Sequence, residues 1–398
     1  MSIGQPIHLR RLNARAICQR LLAHGPASRA DLAKVLGLSA VTTGKVVDDL
    51  LAQGILQIAP ADKEAPRKTN ELGRPGQQVF LARTPPRFIT LQLGVRHTRL
   101  AALPAAGPLA GEGWLIQFPT PADGPAWLKA LQAHADNLQV TDPIALMLSV
   151  PGVVDEPAGR VLLSPNLHWL EAADLPRMLQ EVTWGTPSPP APGRQNAASP
   201  APPVHLVQEI RALALGQLAA EPAEGDFLLV DFGQGMGGAV VAGGRLMAGP
   251  LPLSGELGHT PVLGNHRKCG CGATGCIETL AARPGLLASF AQAHPQQERS
   301  WPRLVEWVQV NGVEPWLRQT LEQVGVVVVG ALNVVGVRRV IVTGALAELG
   351  SQVLEVLSQT VKRSAMWGRF GAVECVSAPR RRALGLATAA LDRVVAPE

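Results

Sequence analysis

A mixed α/β fold, with an N-terminal winged helix-turn-helix ahead of a two-lobed α/β body, is what the sequence predicts. Three observations carry the prediction. Residues 1–82 hold eleven Lys/Arg against six Asp/Glu, while the other 316 residues balance at 25 against 25. The first segment has helical periodicity, and the texture turns strand-rich after Thr84-Pro-Pro86. A strand-hairpin-then-helix block then occurs twice, which suggests a duplicated architecture with a cleft between its lobes. A chain of 398 residues has room for two or three domains. The boundaries expected are 1–84, 85–205 and 206–398, with the C-terminal helix returning to the first lobe.

In the N-terminal segment, Ala16, Ile17, Leu21 and Leu22 form an apolar helical stripe within Ala14–Ala23, which Gly25-Pro26 ends. Ser28 precedes Asp31 by three residues and is placed to cap a second helix from Ala30 to Leu36. Gly37-Leu38 makes a tight turn, and Ser39 caps a third helix running to about Gln53. On that helix Val41, Val46, Val47 and Leu50 are expected inside, with Ala40, Thr42, Thr43 and Lys45 outside near its start. Small polar groups and one Lys at such a helix start suit base edges and phosphates, so Ser39, Ala40, Thr42, Thr43 and Lys45 are candidate DNA contacts. Strands at 54–58 and 77–81 flank a polar loop with Lys63, Arg67, Lys68 and Arg74, a wing that adds Arg74 to the candidates. The confined positive charge is the electrostatic footprint of a nucleic-acid-binding module.

In the body, strands are expected at 88–93, 98–103, 114–118 and 144–150, with a helix near 127–137. Residues 183–203 are rich in Pro, Ser, Gly and Ala and read as a flexible surface excursion. The pattern restarts with strands at 227–232, 238–242 and 339–344. Gly233-Gln-Gly-Met-Gly-Gly238 looks like a dinucleotide fingerprint, but that motif needs a following helix and a strand follows here, so it reads as a hairpin turn. Val324–Val337 is the longest apolar run, interrupted by Asn333 and too short to span a bilayer; it reads as a buried helix in a soluble, cytoplasmic protein.

Glu256-Leu-Gly-His259 followed by Cys269-Gly-Cys271-Gly-Ala-Thr-Gly-Cys276 is the strongest chemical signal. One His and three Cys match the four ligands of a closed tetrahedral Zn2+ site, and glycines 270, 272 and 275 let the backbone wrap around one point. A disulfide would leave one of three clustered cysteines over; His266 is an alternative to His259 on spacing alone. Four protein ligands leave no position for substrate, so the predicted zinc is structural and not catalytic. Cys18 and Cys375 are isolated and read as core thiols.

These residues converge on a known group: the chain resembles the ROK family of repressors and sugar kinases, and within it the xylose and N-acetylglucosamine repressor type. The likeness rests on Gly73-Arg-Pro75, Ser149-Val-Pro-Gly-Val-Val-Asp155, Ser164-Pro-Asn-Leu-His-Trp169, Gln208-Glu-Ile-Arg-Ala-Leu-Ala-Leu-Gly216, Gly255-Glu-Leu-Gly-His259 and Cys269–Glu278. It implies a sugar-kinase/actin-like two-lobed fold, with Asn166, Gln208, Glu209, Glu256, His259 and Glu278 around a sugar pocket and His259 shared with the zinc. Carboxylates accept paired hydrogen bonds from adjacent sugar hydroxyls, and a metal-held imidazole donates through its other nitrogen.

Two departures from the family pattern bear on activity. Where the kinases carry an Asp-x-Gly-Gly-Thr phosphate loop, this chain has Gln92-Leu-Gly-Val-Arg-His97: the acid is Gln92, and Val95 and Arg96 fill positions of small residues. Phosphoryl transfer depends on positioning and charge neutralisation, so it is expected to be lost. Where the family has Asn-Asp, this chain has Gln208-Glu209, each longer by a methylene, which moves the polar end by roughly 1.3 Å. The expected function is a DNA-binding transcriptional regulator, a repressor controlled by a sugar and working as a homodimer or dimer of dimers on an operator duplex. An active sugar kinase with a DNA-binding arm, or a regulator that docks a transport protein, are the alternatives.

Overall fold

The structure, a computed structural model, describes residues 6–59, 77–108, 111–140, 142–185, 201–222, 225–249 and 255–395. Lys63, Arg67, Lys68, Arg74 and residues 186–200 of the Pro-rich stretch lie outside them. The chain opens with α1 (Pro6–His24), β1 (Ala27–Ser28), α2 (Arg29–Leu36), α3 (Ala40–Ala52), β2 (Leu56–Ile58) and β3 (Gln78–Leu81). The three strands pair antiparallel in the order β1-β3-β2. Ser28 caps α2 in a reciprocal box with Asp31, and Ser39 accepts the Thr42 N–H to cap α3. Ile17, Cys18, Leu32, Val46, Val47 and Leu50 close one core.

The expected face of α3 needs one correction. Thr43 is fully buried and Val41 is 68% exposed. Positions 43, 46, 47 and 50 recur at i, i+3, i+4 and i+7 and form the inner stripe of an α-helix, whereas position 41 falls off it. The helical period outweighs hydrophobicity here, and Thr43 leaves the set of candidate DNA contacts.

The body begins with β4 (Phe88–Leu93), β5 (His97–Leu103), β6 (Ile116–Pro119), α4 (Gly124–Ala135), β7 (Ala145–Val150), β8 (Val153–Asp155), β9 (Arg160–Leu163), α5 (Leu175–Gln180), β10 (Val204–Gln208) and α6 (Glu209–Ala220). Then come β11 (Phe227–Phe232), β12 (Met236–Ala242), β13 (Arg245–Leu246), α7 (Glu278–Ala281), α8 (Arg283–Ala293), α9 (Trp301–Asn311), α10 (Pro315–Val335), β14 (Arg339–Gly344), α11 (Ala345–Glu348), α12 (Ser351–Ser364), β15 (Glu374–Ser377) and α13 (Arg382–Val395). Two five-stranded sheets share one topology. The first runs β10-β7-β4-β5-β6 and the second β13-β12-β11-β14-β15. In each, an antiparallel hairpin is extended by parallel strands: β7 and β10 in the first, β14 and β15 in the second. The duplication expected from the sequence is present, and β4, β7 and β11 are buried along their whole length because helices cover both sheet faces.

The apolar run at 324–337, expected to be a buried helix, falls largely in the second half of α10, but only one side of it is buried: Val324, Val328 and Leu332 are inside while Val326 and Val334 are exposed. Cys18 is buried on the inner face of α1, and Cys375 packs half-buried against the second core. The C-terminal helix α13 returns to pack on α6, β7 and β4. A Cβ on Gly385 would lie 1.7 Å from the Ala212 carbonyl, so only glycine allows α13 to sit this close to α6. No helix among the described residues is long and apolar enough to cross a membrane.

Candidate functional site

The carboxyl ends of β4, β10, β11 and β14 face a common cavity of about 370 Å³, the position where open α/β sheets place their ligands. Asn166, Gln208, Glu209, Glu256, His259 and Glu278 all line it. They arrive from separate elements: Gln208 ends β10, Glu209 begins α6, Glu256 precedes and His259 ends a 3-10 turn, and Glu278 begins α7. The turn is held against β12 by a hydrogen bond from Gly238 N to Gly255 O of 2.7 Å. Gly255 has φ +81°, and a Cβ there would overlap the Gly238 carbonyl at 1.7 Å, which is why the Gly-Glu-Leu-Gly-His motif starts with glycine.

One half of the cavity keeps polar groups facing inward. Gln208 Nε2 donates to Glu256 Oε1 at 3.0 Å, and Glu256 Oε2 lies 3.7 Å from His259 Nε2. Burial pushes the Glu256 carboxyl above the usual carboxylate range, against the pull of His259 and the Gln208 hydrogen bond. Glu278 is more constrained: its Oε2 accepts Met236 N at 3.1 Å and its Oε1 accepts Cys269 Sγ at 3.2 Å. Asn166 is exposed at the rim.

The other half is a network in which Arg99, Asp231, Arg380 and Arg382, none of them singled out from the sequence, bond to Gln92, Glu209 or one another. Arg380 donates from Nε to Asp231 Oδ1 at 2.6 Å and from Nη2 to Asp231 Oδ2 and the Phe232 carbonyl, both at 3.0 Å. Thr343 Oγ1 adds a 2.6 Å bond to the same carboxylate. Burial works against the charge on Asp231, yet Arg380 and Arg382 together hold it below the usual carboxylate range. Arg382 Nε donates to Glu209 Oε1 at 2.7 Å, and Gln92 Nε2 donates to the same oxygen at 3.0 Å. Arg99 Nη1 closes the chain on Gln92 Oε1 at 3.0 Å. A run of three arginines at 380–382 in an otherwise charge-balanced body was the available signal.

Beside the cavity, His259, Cys269, Cys271 and Cys276 place one ligand atom each within 4.8 Å of one another, a group that could hold a metal ion. Cys269 Sγ is 3.5 Å from His259 Nδ1 and Cys271 Sγ is 3.7 Å from Cys276 Sγ. A tetrahedron with metal–sulfur bonds of about 2.3 Å and metal–nitrogen bonds of about 2.0 Å has edges of roughly 3.5–3.8 Å, so the spacing fits. All three cysteines are free, and His266 is exposed outside the group. Burial raises the Cys269 and Cys276 thiols, while a backbone N–H from Ala273 lowers that of Cys271. His259 thus turns Nδ1 to the sulfurs and Nε2 to Glu256 at the cavity.

Of the candidate DNA contacts, Ser39 and Thr42 spend their hydroxyls on each other at 2.8 Å within the α3 cap, while Ala40 and Lys45 are exposed. Val41 joins them on the open face, a residue the sequence reading had turned inward.

Two repeated α/β lobes with a polar cavity at their strand ends make a fold that superposes on a ROK hexokinase from Thermus thermophilus with a TM-score of 0.56 at 24% identity, over 77% of this chain and 97% of that one. Residues 197–390 match the ROK family, and the chain carries a ROK family domain. The chain is 21% identical over 392 residues to the xylose repressor of Caldicellulosiruptor bescii, covering 92% of each. It is 24% identical over 294 residues to the DNA-binding transcriptional dual regulator NagC of Escherichia coli, covering 71% of this chain and 66% of that one. A solved ROK family transcriptional regulator, described as a homolog of the E. coli MLC protein, superposes with a TM-score of 0.72 at 18% identity over 98% of both chains, a likeness of fold.

Proposed function

We propose that the chain is a DNA-binding transcriptional regulator, acting as a repressor, whose ROK domain senses a sugar or sugar derivative and does not phosphorylate it. The observation that carries this reading is the bonding of Glu209. In the position that the family resemblance gives to the catalytic base, Glu209 Oε1 already accepts both Arg382 and Gln92. A base must be aimed at a hydroxyl proton at close range, and these two bonds turn one oxygen of the carboxylate to the protein's own donors. Gln92 in place of an acid also leaves no carboxylate there for a metal-nucleotide. The half of the cavity bearing Gln208, Glu256 and His259 keeps the acceptors and the oriented imidazole that sugar hydroxyls need.

Residues 1–84 then act as a winged helix-turn-helix, with α2 and α3 joined through Gly37 in the left-handed conformation and Lys45 and Val41 offered to the major groove. An apolar side chain at the start of a recognition helix suits a thymine methyl. The lobes comprise 85–205 and 206–398. Zinc is the ion assigned to His259 and the three cysteines; with four protein ligands its role is to fix the loop and the His259 ring. The names of the xylose and N-acetylglucosamine relatives support a sugar effector, and DNA as partner accords with the cytoplasm.

The route from cavity to arm is α13. Its first residue, Arg382, grips Glu209 in the cavity, and Asp392 near its other end accepts Arg15 of α1 at 2.9 Å. A sugar that favours one lobe angle shifts the start of a rigid helix whose far end holds the DNA-binding arm, provided it binds the two angles with different affinity. The test is operator binding: duplexes selected by the protein from a random pool are titrated at fixed salt, with and without pentoses, hexoses and N-acetylhexosamines. At least one sugar is expected to change the affinity by about fivefold or more; no change from any of them overturns the sensing role.

A further inference from the structure

A second cavity, of about 430 Å³, lies between the N-terminal arm and the body and shares no lining residue with the central one. Its walls are α1 of the arm, α6 and α13 of the body, and the β12–β13 hairpin. Leu22 stands seven residues after Arg15 on α1, and Leu218 seven after Arg211 on α6. Seven residues are about two helical turns, so each helix turns to the cavity a stripe that begins with arginine and ends with leucine. Leu22, Leu215, Leu218 and Leu246 are only half-buried there. Concave apolar wall with a few converging polar groups is the usual make-up of a small-molecule site, and the volume falls in the range of roughly 300–1,000 Å³ that such sites occupy.

The polar part of the lining is unbalanced. Four guanidiniums, those of Arg15, Arg211, Arg245 and Arg393, meet two carboxylates, those of Glu156 and Asp392. Glu156 accepts Arg211 Nε at 3.0 Å, Arg393 Nη2 at 2.9 Å and the Gln208 N–H at 3.0 Å, so one carboxylate serves two cations. Asp392 accepts Arg15 Nη2 at 2.9 Å. Arg245 is exposed on β13 beside Leu246 and has no ion pair among the described residues. Inorganic phosphate would leave the leucines uncovered, and a neutral hydrocarbon would leave the positive charge unmet. We propose that this cavity is a second ligand site, which takes a small organic carboxylate with an apolar body and clamps the arm against the body. The carboxylate meets Arg245 and the apolar body covers the leucines. Such a ligand touches α1, α6 and α13 at once, and it stabilises the pose of the arm to the extent that it binds that pose better than others. It also lies along α13, the helix whose first residue bonds Glu209 in the central cavity.

Calorimetric titration of the full-length protein with 1-naphthoate and with octanoate tests this. At least one of them is expected to bind one equivalent per chain with a dissociation constant of about 1 mM or tighter. Its neutral counterpart, 1-naphthalenemethanol or octanol, should bind about tenfold more weakly for want of a charged hydrogen bond. Ala219→Trp, which sets a large ring in the cavity, should abolish binding. Arg245→Gln, on the exposed hairpin, should weaken it about tenfold with an unchanged melting temperature. Amide hydrogen exchange along α1 should slow when the carboxylate is bound. No saturable binding of either carboxylate, equal binding of the neutral counterpart, affinity retained in either variant, or unchanged exchange along α1 at saturation would each overturn the proposal.

Discussion

The two halves of the central cavity each hold a Gln–Glu pair, Gln208 with Glu256 and Gln92 with Glu209, and differ in what surrounds it. Around Gln208, Glu256 and His259, polar groups touch one another lightly and still face the open space. Around Glu209, Asp231, Arg380 and Arg382, every carboxylate meets a guanidinium at hydrogen-bond distance, and the charges are spent on the protein itself. On the proposed function, the difference is how a fold shared with sugar kinases becomes a sensor: one half is filled with its own cations while the other stays open. Buried ion pairs add little net stability over apolar packing but are costly to break singly, so the sealed half is rigid without being replaceable piece by piece.

The comparison can be broken most severely at the wall the metal group provides. Cys271→Ser should lose one equivalent of bound zinc by elemental analysis and lower the melting temperature, because metal binding and folding of such loops are coupled. A variant with full metal content would show that Cys271 is not a ligand. Next in size is Arg380→Met, which leaves Asp231 buried without its main partner. Chemical denaturation should show a loss of about 3–5 kcal/mol, and a change below about 1 kcal/mol would mean the sealed half is not held by this pair.

Glu256→Gln probes the open half instead. It keeps shape and removes an acceptor, so sugar affinity measured by calorimetry should fall by about tenfold for the loss of a charged hydrogen bond of roughly 1.5 kcal/mol, with the melting temperature almost unchanged. The reverse pattern, lost stability with intact affinity, would assign Glu256 to holding His259 in place. Smallest is Lys45→Ala on α3, expected to weaken DNA binding uniformly across sequences and reduce the salt dependence by about one phosphate contact; an unaltered salt slope would remove Lys45 from the interface.

Sequence legibility divided along the same line. The open half was readable because its residues sit in tight local patterns: Gly255-Glu-Leu-Gly-His259 and the three cysteines lie within 22 positions, and close approach of the backbone at Gly255 forces that spacing. The strand at 88–93, the one at 227–232 and the one at 339–344 were likewise placed to the residue by continuous apolar runs. In the sealed half Gln92 and Glu209 stood out in the sequence, but their partners Arg99, Asp231 and Arg380–Arg382 did not, because the network spans up to 290 positions and only folding brings it together. On α3 the error was of another kind. Val41 was placed inside for being apolar and Thr43 outside for being polar, although the 3.6-residue period assigned them the other way.

Titrating a binding sugar into the protein calorimetrically, with and without MgATP and with ADP release monitored, tests the contrast between the halves most directly. The account predicts sugar binding with the same affinity in both conditions and no ADP. Turnover of ATP, or sugar binding that requires the nucleotide, would contradict it.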